Sequence, residues 1–198
     1  MSYSDVLTVW FGEIDDDGQI DAAYKSRWWK KDPVFDQFLL AQFAKVHSAI
    51  LAGECEDWLA DARGRLAYVI VLDQFSRNMF RDTPAMFAAD GRAVATAHEG
   101  VDCGDDEELA IPERSFLYMP FMHSEDLSDQ DRCVTLFTAM RDSADEAQRE
   151  GVQYMLDYAV KHRDIVKRFG RFPHRNALLG RESTDEEREF LTQPGSSF

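Results

Sequence analysis

The stretch Leu66-Ala67-Tyr68-Val69-Ile70-Val71-Leu72-Asp73-Gln74-Phe75-Ser76-Arg77-Asn78-Met79-Phe80 decides the fold. Read at 3.6 residues per turn, it carries one stripe of Leu66, Val69, Ile70, Asp73, Arg77 and Phe80 and another, nearly opposite, of Tyr68, Leu72, Phe75 and Met79. A helix that is apolar on two faces needs neighbours on both, so residues 62–80 predict a central helix. Asp73 and Arg77 interrupt the first stripe at i, i+4 spacing, where a carboxylate and a guanidinium meet. Gln74, Asn78 and Arg81 adjoin them on the flank.

Outward from that helix the punctuation is also helical. Ser2 or Ser4 can cap a first helix that ends at Gly12, and the polar residues 13–19 form a loop. Asp32-Pro33 is a strong start, with Asp as N-cap and Pro in the first turn. It is followed by Val34, Phe35, Phe38, Leu39, Phe43, Val46 and Ile50 at helical spacing, and by Gly53 as a stop. Trp58 opens a short helix or turn. Thr83-Pro84 starts a helix running, with a bend at Gly91, to Gly100; the acidic residues 102–108 form a loop, and Pro112 opens a helix ending near Pro120. Ser128 caps a helix through Met140. Residues 145–169 form the longest helix, closed by Gly170, and Ser183-Thr184-Asp185-Glu186-Glu187 is a capping-box start for a last one. Strand-like alternation is absent from the sequence. The expectation is one all-α domain, residues 1–198, of about eight to ten helices packed as antiparallel pairs.

Bulk properties narrow the function. With 198 residues, 44% of them hydrophobic, the chain can bury a substantial core without staples. A net charge of -15 disfavours nucleic acid and anionic membrane, both of which present phosphates. Cys55, Cys103 and Cys133 are odd in number and far apart, so neither a disulfide framework nor a zinc site is indicated, and a reducing compartment fits. There is no basic, then apolar, leader and no apolar run of membrane-spanning length, so a cytoplasmic location is expected. GxGxxG, GxxxxGK[ST] and GxSxG are all absent, and no cofactor or metal is assigned.

Three polar signatures lie beside dense apolar sequence: residues 73–78, Pro120-Phe121-Met122-His123-Ser124-Glu125-Asp126, and Arg171-Phe172-Pro173-His174-Arg175-Asn176. Arginine, histidine and carboxylate groups drawn toward a core must be paired or used. His162 stands mid-face in the longest helix among Val152, Met155, Leu156, Tyr158, Ala159, Ile165, Val166 and Phe169, with Arg163 at its margin. Pro173 suits a helix start whose free N–H groups, with the nearby guanidinium groups, would hold a phosphate or carboxylate. The opposing possibility is an internal anion, from Glu125, Asp126, Glu182 or the carboxylate of Phe198. The candidate ligand-binding set is therefore Arg77, Asn78, Arg81, His123, Glu125, Asp126, His162, Arg163, Arg171, His174, Arg175 and Asn176, of which Arg77, His123, Glu125, Asp126, His162, His174, Arg175 and Asn176 are expected to converge. Catalytic residues are not assigned.

Val9-Trp10-Phe11-Gly12, Trp28-Trp29, residues 72–81, residues 118–127, residues 168–176 and the closing Pro194-Gly195-Ser196-Ser197-Phe198 together resemble the bacterial family known as domain of unknown function 924. The resemblance covers essentially the whole chain. It implies a tetratricopeptide-like right-handed helical array, although no 34-residue period is visible in this sequence. Ser76 stands where proline is common in the family and Met119 where leucine is usual. The family brings no established reaction or site residues. Two function classes stay open: a small-molecule site for an anionic ligand, catalytic or not, and an interaction module that clamps a peptide or its carboxylate. The expected partner is a small anion or a peptide carboxylate, a homodimer being left open.

Overall fold

A computed structural model describes residues 1–15 and 18–197. Among these residues the regular structure is helical, apart from one antiparallel bridge between Ile14 and Ile20 that closes the loop after the first helix. No helix of the described residues is long and apolar enough to cross a membrane. The chain divides into two compact units, residues 1–81 with 85–120, and residues 82–84 with 121–198.

In the first unit α1 (Tyr3–Phe11) carries the expected cap, Ser2 and Asp5 forming a capping box. A helix that sequence reading left out, α2 (Ala22–Trp28), follows, capped by Asp21. Helix α3 (Pro33–Leu51) begins as anticipated: the Asp32 side chain accepts from the N–H groups of Val34 and Phe35, and Pro33 fills the first turn. Its inner stripe of Phe35, Leu39, Phe43, Val46 and Ile50 is buried. Rings from several elements meet beside it. Trp10 lies 5.4 Å from Phe116 and 5.8 Å from Phe75, and Trp28 lies 4.8 Å from Phe116, in edge or tilted geometry that suits the ring quadrupoles.

The central helix is buried on both faces, as its two stripes require, but it is not a continuous α-helix. Helix α4 (Ala62–Ile70) passes into a π-helical turn over Val71–Phe75 before α5 (Ser76–Met79) resumes. The wider turn shifts the hydrogen bonding by a residue, and the Ser76 hydroxyl donates to the Val71 carbonyl at 3.5 Å. Every residue from Gly64 to Ser76 is buried. The helix expected from Pro84 is instead a 3-10 turn, Pro84–Phe87, followed by α6 (Asp90–Cys103), and the acidic segment after it contains another such turn, Asp105–Glu108.

Helix α7 (Ile111–His123) runs past the end expected at Pro120. Proline has no N–H to give to the preceding turn, but here it costs one bond without stopping the helix. The unit boundary falls at this residue. In the second unit α8 (Leu127–Ser143) is capped by Asp126 rather than Ser128, its side chain accepting from the Ser128 N–H. Only Ala144 and Asp145 separate α8 from α9 (Glu146–Phe169), so the two form a helical hairpin. The buried stripe of α9 is Val152, Leu156, Ala159, His162, Ile165 and Val166. Gly170, at φ 67°, ends the helix in the left-handed conformation and returns its N–H to the Val166 carbonyl. Phe172 then packs on Ile165 and Val166, with Phe169 and Phe190 alongside. Helix α10 (Asp185–Phe190) starts on the capping box of Thr184 and Glu187.

Candidate functional site

The sequence-predicted polar residues fall into networks within each unit. In the first, Arg77 is held bidentately by Asp90 of α6, at 2.9 and 3.1 Å, and by Asp73 at 3.2 Å, while also donating to the Asp73 and Met86 carbonyls. Burial alone would lower the affinity of this guanidinium for its proton; the two carboxylates outweigh that and hold the cation more firmly than usual. Asn78 and Arg81 converge on Asp36 of α3, at 2.7 Å from Asn78 and 2.7 and 3.0 Å from Arg81. A further buried pair joins α3 to α5: His47 Nε2 lies 2.8 Å from Ser76 Oγ. Burial pushes the His47 imidazole toward its neutral form.

In the second unit the segment after α9 is tied down by carboxylates. Glu125 accepts from the Phe172 N–H at 2.8 Å and from both Arg181 terminal nitrogens at 2.6 and 2.9 Å. Burial works against its charge, but the Arg181 and Phe172 donors prevail and hold its carboxyl below the usual range. Arg181 also donates to Asn176 Oδ1 at 3.0 Å, and the Asn176 amide donates to Ser183 and Glu187. Glu187 accepts from Arg171 at 2.6 and 2.8 Å and from the Thr184 N–H, and the Arg171 fork pushes its carboxyl down to about 2 against a modest opposing effect of burial. Arg163 is half-buried and paired with the exposed Asp164. Asp126 serves as the cap of α8.

Of the remaining candidates, His162, His174 and Arg175 gather around the fully buried Phe172 ring, with His123 beside His162. His162 and His174 each lie 5.6 Å from that ring, His123 lies 6.4 Å from His162, and the Arg175 guanidinium sits 4.5 Å over the ring. Arg175 Nη2 donates to the His123 carbonyl at 2.9 Å, tying this segment to the end of α7. His162 Nδ1 lies 2.8 Å from the Tyr158 carbonyl, which can only accept, so Nδ1 carries the hydrogen. Burial first, then the neighbouring His123, Arg175 and His174, push His162 down to about 3; burial and Arg175 push His174 down to about 4. Both imidazoles are therefore neutral donors and acceptors at neutral pH.

Within the first unit Arg77, Asn78 and Arg81 take carboxylates, and within the second His123, Glu125, His162, Arg171, His174, Arg175 and Asn176 interlock. Pro173 opens only a 3-10 turn, Pro173–Arg175, and not a helix. The N–H groups of Phe172, Arg175 and Asn176 go to Glu125, Phe172 and Pro173, so the expected fan of free backbone donors does not form. Among the described residues no three His, Cys, Asp or Glu side chains are grouped to hold a metal ion. The suggested anion at Phe198 lies outside the described residues, as do Asp16 and Asp17 of the first loop. Sequence reading missed Asp36, Asp90, Arg181 and the use of Glu187 as an ion-pair partner. Glu187 alone had a signal, its capping-box position, and that signal spoke only of the helix start.

This is an all-α protein whose helices are joined by part-buried guanidinium–carboxylate pairs. A profile of the family described as bacterial protein of unknown function (DUF924) matches residues 6–195, and the chain belongs to that family. A solved structure of a protein of unknown function from Agrobacterium tumefaciens is 36% identical, covers 96% of this chain and 96% of its own, and superposes with a TM-score of 0.81. Comparison with curated proteins gives no match.

Proposed function

We propose that the second unit binds a small anion, a phosphate or carboxylate group, at the cluster of His123, His162, His174 and Arg175. The observation that carries this reading is the placement of His162, His174 and the Arg175 guanidinium around Phe172, with His123 beside His162, in a chain of net charge -15. Glu125 belongs to the same surroundings, but its charge is matched by Arg181. A neutral imidazole whose N–H is not already given to a carbonyl can donate it to an anion, and a guanidinium over an aromatic ring supplies a cation. His123 and His174 are half-buried, so part of the cluster reaches the surface.

Binding of such a ligand stabilises the folded chain by mass action, by roughly 2.7 kcal/mol at a hundred times its dissociation constant. Thermal shift with inorganic phosphate, sulfate and simple carboxylates is the test. The wild type should shift and Arg175→Ala should not, while both keep their helical circular dichroism. No shift with any of these anions, or a shift that survives Arg175→Ala, overturns the reading.

A second reading draws on the forks of Arg171 and Arg181, which are already filled by Glu187 and Glu125. On that reading the network is an internal brace, and the helices form a tetratricopeptide-like interaction module that holds a peptide through its own surface. The α8–α9 hairpin is the kind of unit such an array repeats. Peptides with free and amidated C-termini in the same assay separate the two, since a brace gives no response to free anions.

A further inference from the structure

We propose that the outer face of α3 is where two copies of this chain meet, the two helices packing antiparallel about a two-fold axis. The inner face of α3 is taken up by Phe35, Leu39, Phe43, Val46 and Ile50, on the side that packs on the π turn and α5. The opposite face carries Val34, Phe38, Ala41, Lys45, Ser48 and Ala52, spaced four and three residues apart, and all six are exposed. Val34 is 80% exposed and Phe38 43%, with Leu51 flanking the stripe at 43%. In a chain with 37 acidic residues this stripe has none. The acids nearest its start have other tasks: Asp32 caps the helix, and Asp36 holds Asn78 and Arg81. Two copies of net charge -15 repel one another, so a face without acids is where they can touch.

The stripe is bulky at its start and small toward its end, so it fits itself when reversed. About a midpoint at Phe43, an antiparallel copy sets Val34 against Ala52, Phe38 against Ser48 and Ala41 against Lys45. Each bulky side chain meets a small one in both halves of the contact, as a two-fold axis requires. The Lys45 stem lies along Ala41 and leaves its ammonium in water at the margin. The flanks obey the same symmetry, since exposed Lys30 precedes α3 and exposed Glu54, Glu56 and Asp57 follow it. Antiparallel packing brings the lysine of each copy to the carboxylates of the other and sets the two helix macrodipoles head to tail. A parallel pair would instead set lysine on lysine and Phe38 on Phe38. A 19-residue helix is about 28 Å long, which places one helix pair at the small end of specific interfaces, so the dimer forms at micromolar concentration.

Sedimentation velocity of the full chain from about 1 to about 500 μM should show a monomer becoming a dimer across this range. Ala41→Glu places a carboxylate at the centre of the contact, at an exposed position that leaves the circular dichroism unchanged, and should raise the dissociation constant about a hundredfold. Lys30→Glu should weaken association about tenfold, and adding Glu54→Lys and Glu56→Lys should restore it, because only the antiparallel pairing brings those positions together. A chain that stays monomeric at the highest concentration overturns the proposal and leaves the face to another protein or a lipid surface. A dimer that survives Ala41→Glu also overturns it, since its contact then lies elsewhere, and so does a dimer that the charge swap fails to restore.

Discussion

His47 is 5% exposed and Ser76 0% exposed, so their 2.8 Å contact replaces water that neither group can reach. Ser76→Ala would leave the imidazole nitrogen buried without that partner, and an orphaned polar group costs about 1–3 kcal/mol. Urea unfolding should show a loss of that size with an unchanged slope; a loss under a few tenths of a kcal/mol would show that the bond is not needed. The same logic explains why Arg77 and Arg81 are arginines. Asp90 grips Arg77 with both oxygens and Asp36 grips Arg81 with both, a two-point match that the single ammonium of lysine does not offer. Arg77 was legible in the sequence because Asp73 stands one turn away. Asp90 and Asp36 were not, because carboxylates 13 and 45 residues from their guanidinium partners leave no local spacing to read.

At the scale of elements, capping chemistry was the most legible feature. Asp32-Pro33, the Thr184–Glu187 box and Gly170 mark helix ends where they were expected, since each depends only on backbone groups within one turn. The π turn in the central helix was not legible. Its place is set by packing on both faces, which the order of residues between Ile70 and Ser76 does not reveal. The start of that helix carries a sharp prediction. A Cβ on Gly64 would lie 2.1 Å from the Trp58 carbonyl oxygen, a backbone atom that no side-chain rotation can move. Gly64→Ala, favourable by helix propensity, should instead destabilise by about 3 kcal/mol as the 3-10 turn Glu56–Ala60 is forced away. An alanine variant as stable as the wild type in thermal unfolding would contradict the packing of that turn on α4.

For the whole molecule, acid should act most on the second unit, where burial depresses two histidines further than it does His47 of the first. His162 and His174 bind protons less readily when folded than when unfolded, so the unfolded chain gains protons first as pH falls below 6.5. Their contribution is intact above that pH and is lost progressively toward about 4 and about 3. For His162, 5% exposed, the loss is roughly 2 kcal/mol at pH 5, at 1.36 kcal/mol per unit below 6.5. Glu187 adds to this at lower pH. Its stabilisation is full above the ordinary value of 4.5 and vanishes as pH falls through about 2. Urea midpoints should therefore fall between pH 7.5 and pH 5, and His162→Gln should reduce that fall. A midpoint independent of pH across this window would mean that His162 charges as freely in the folded chain as in water.

Sequence alone determined that this chain is all-α, where most of its helices begin and end, that two faces of residues 62–80 are interior, and which family it belongs to. Those properties follow from local terms, namely capping within one turn and apolar spacing at 3.6 residues, which are written in consecutive residues. Tertiary structure alone decided which carboxylate meets which guanidinium within each unit, and that His162 and His174 pack on Phe172 with His123 beside His162. The physical reason is that charge pairing and ring packing act through space. Arg181 finds Glu125 across 56 residues because folding brings them to 2.6 Å, and nothing in either residue's neighbourhood along the chain specifies the other.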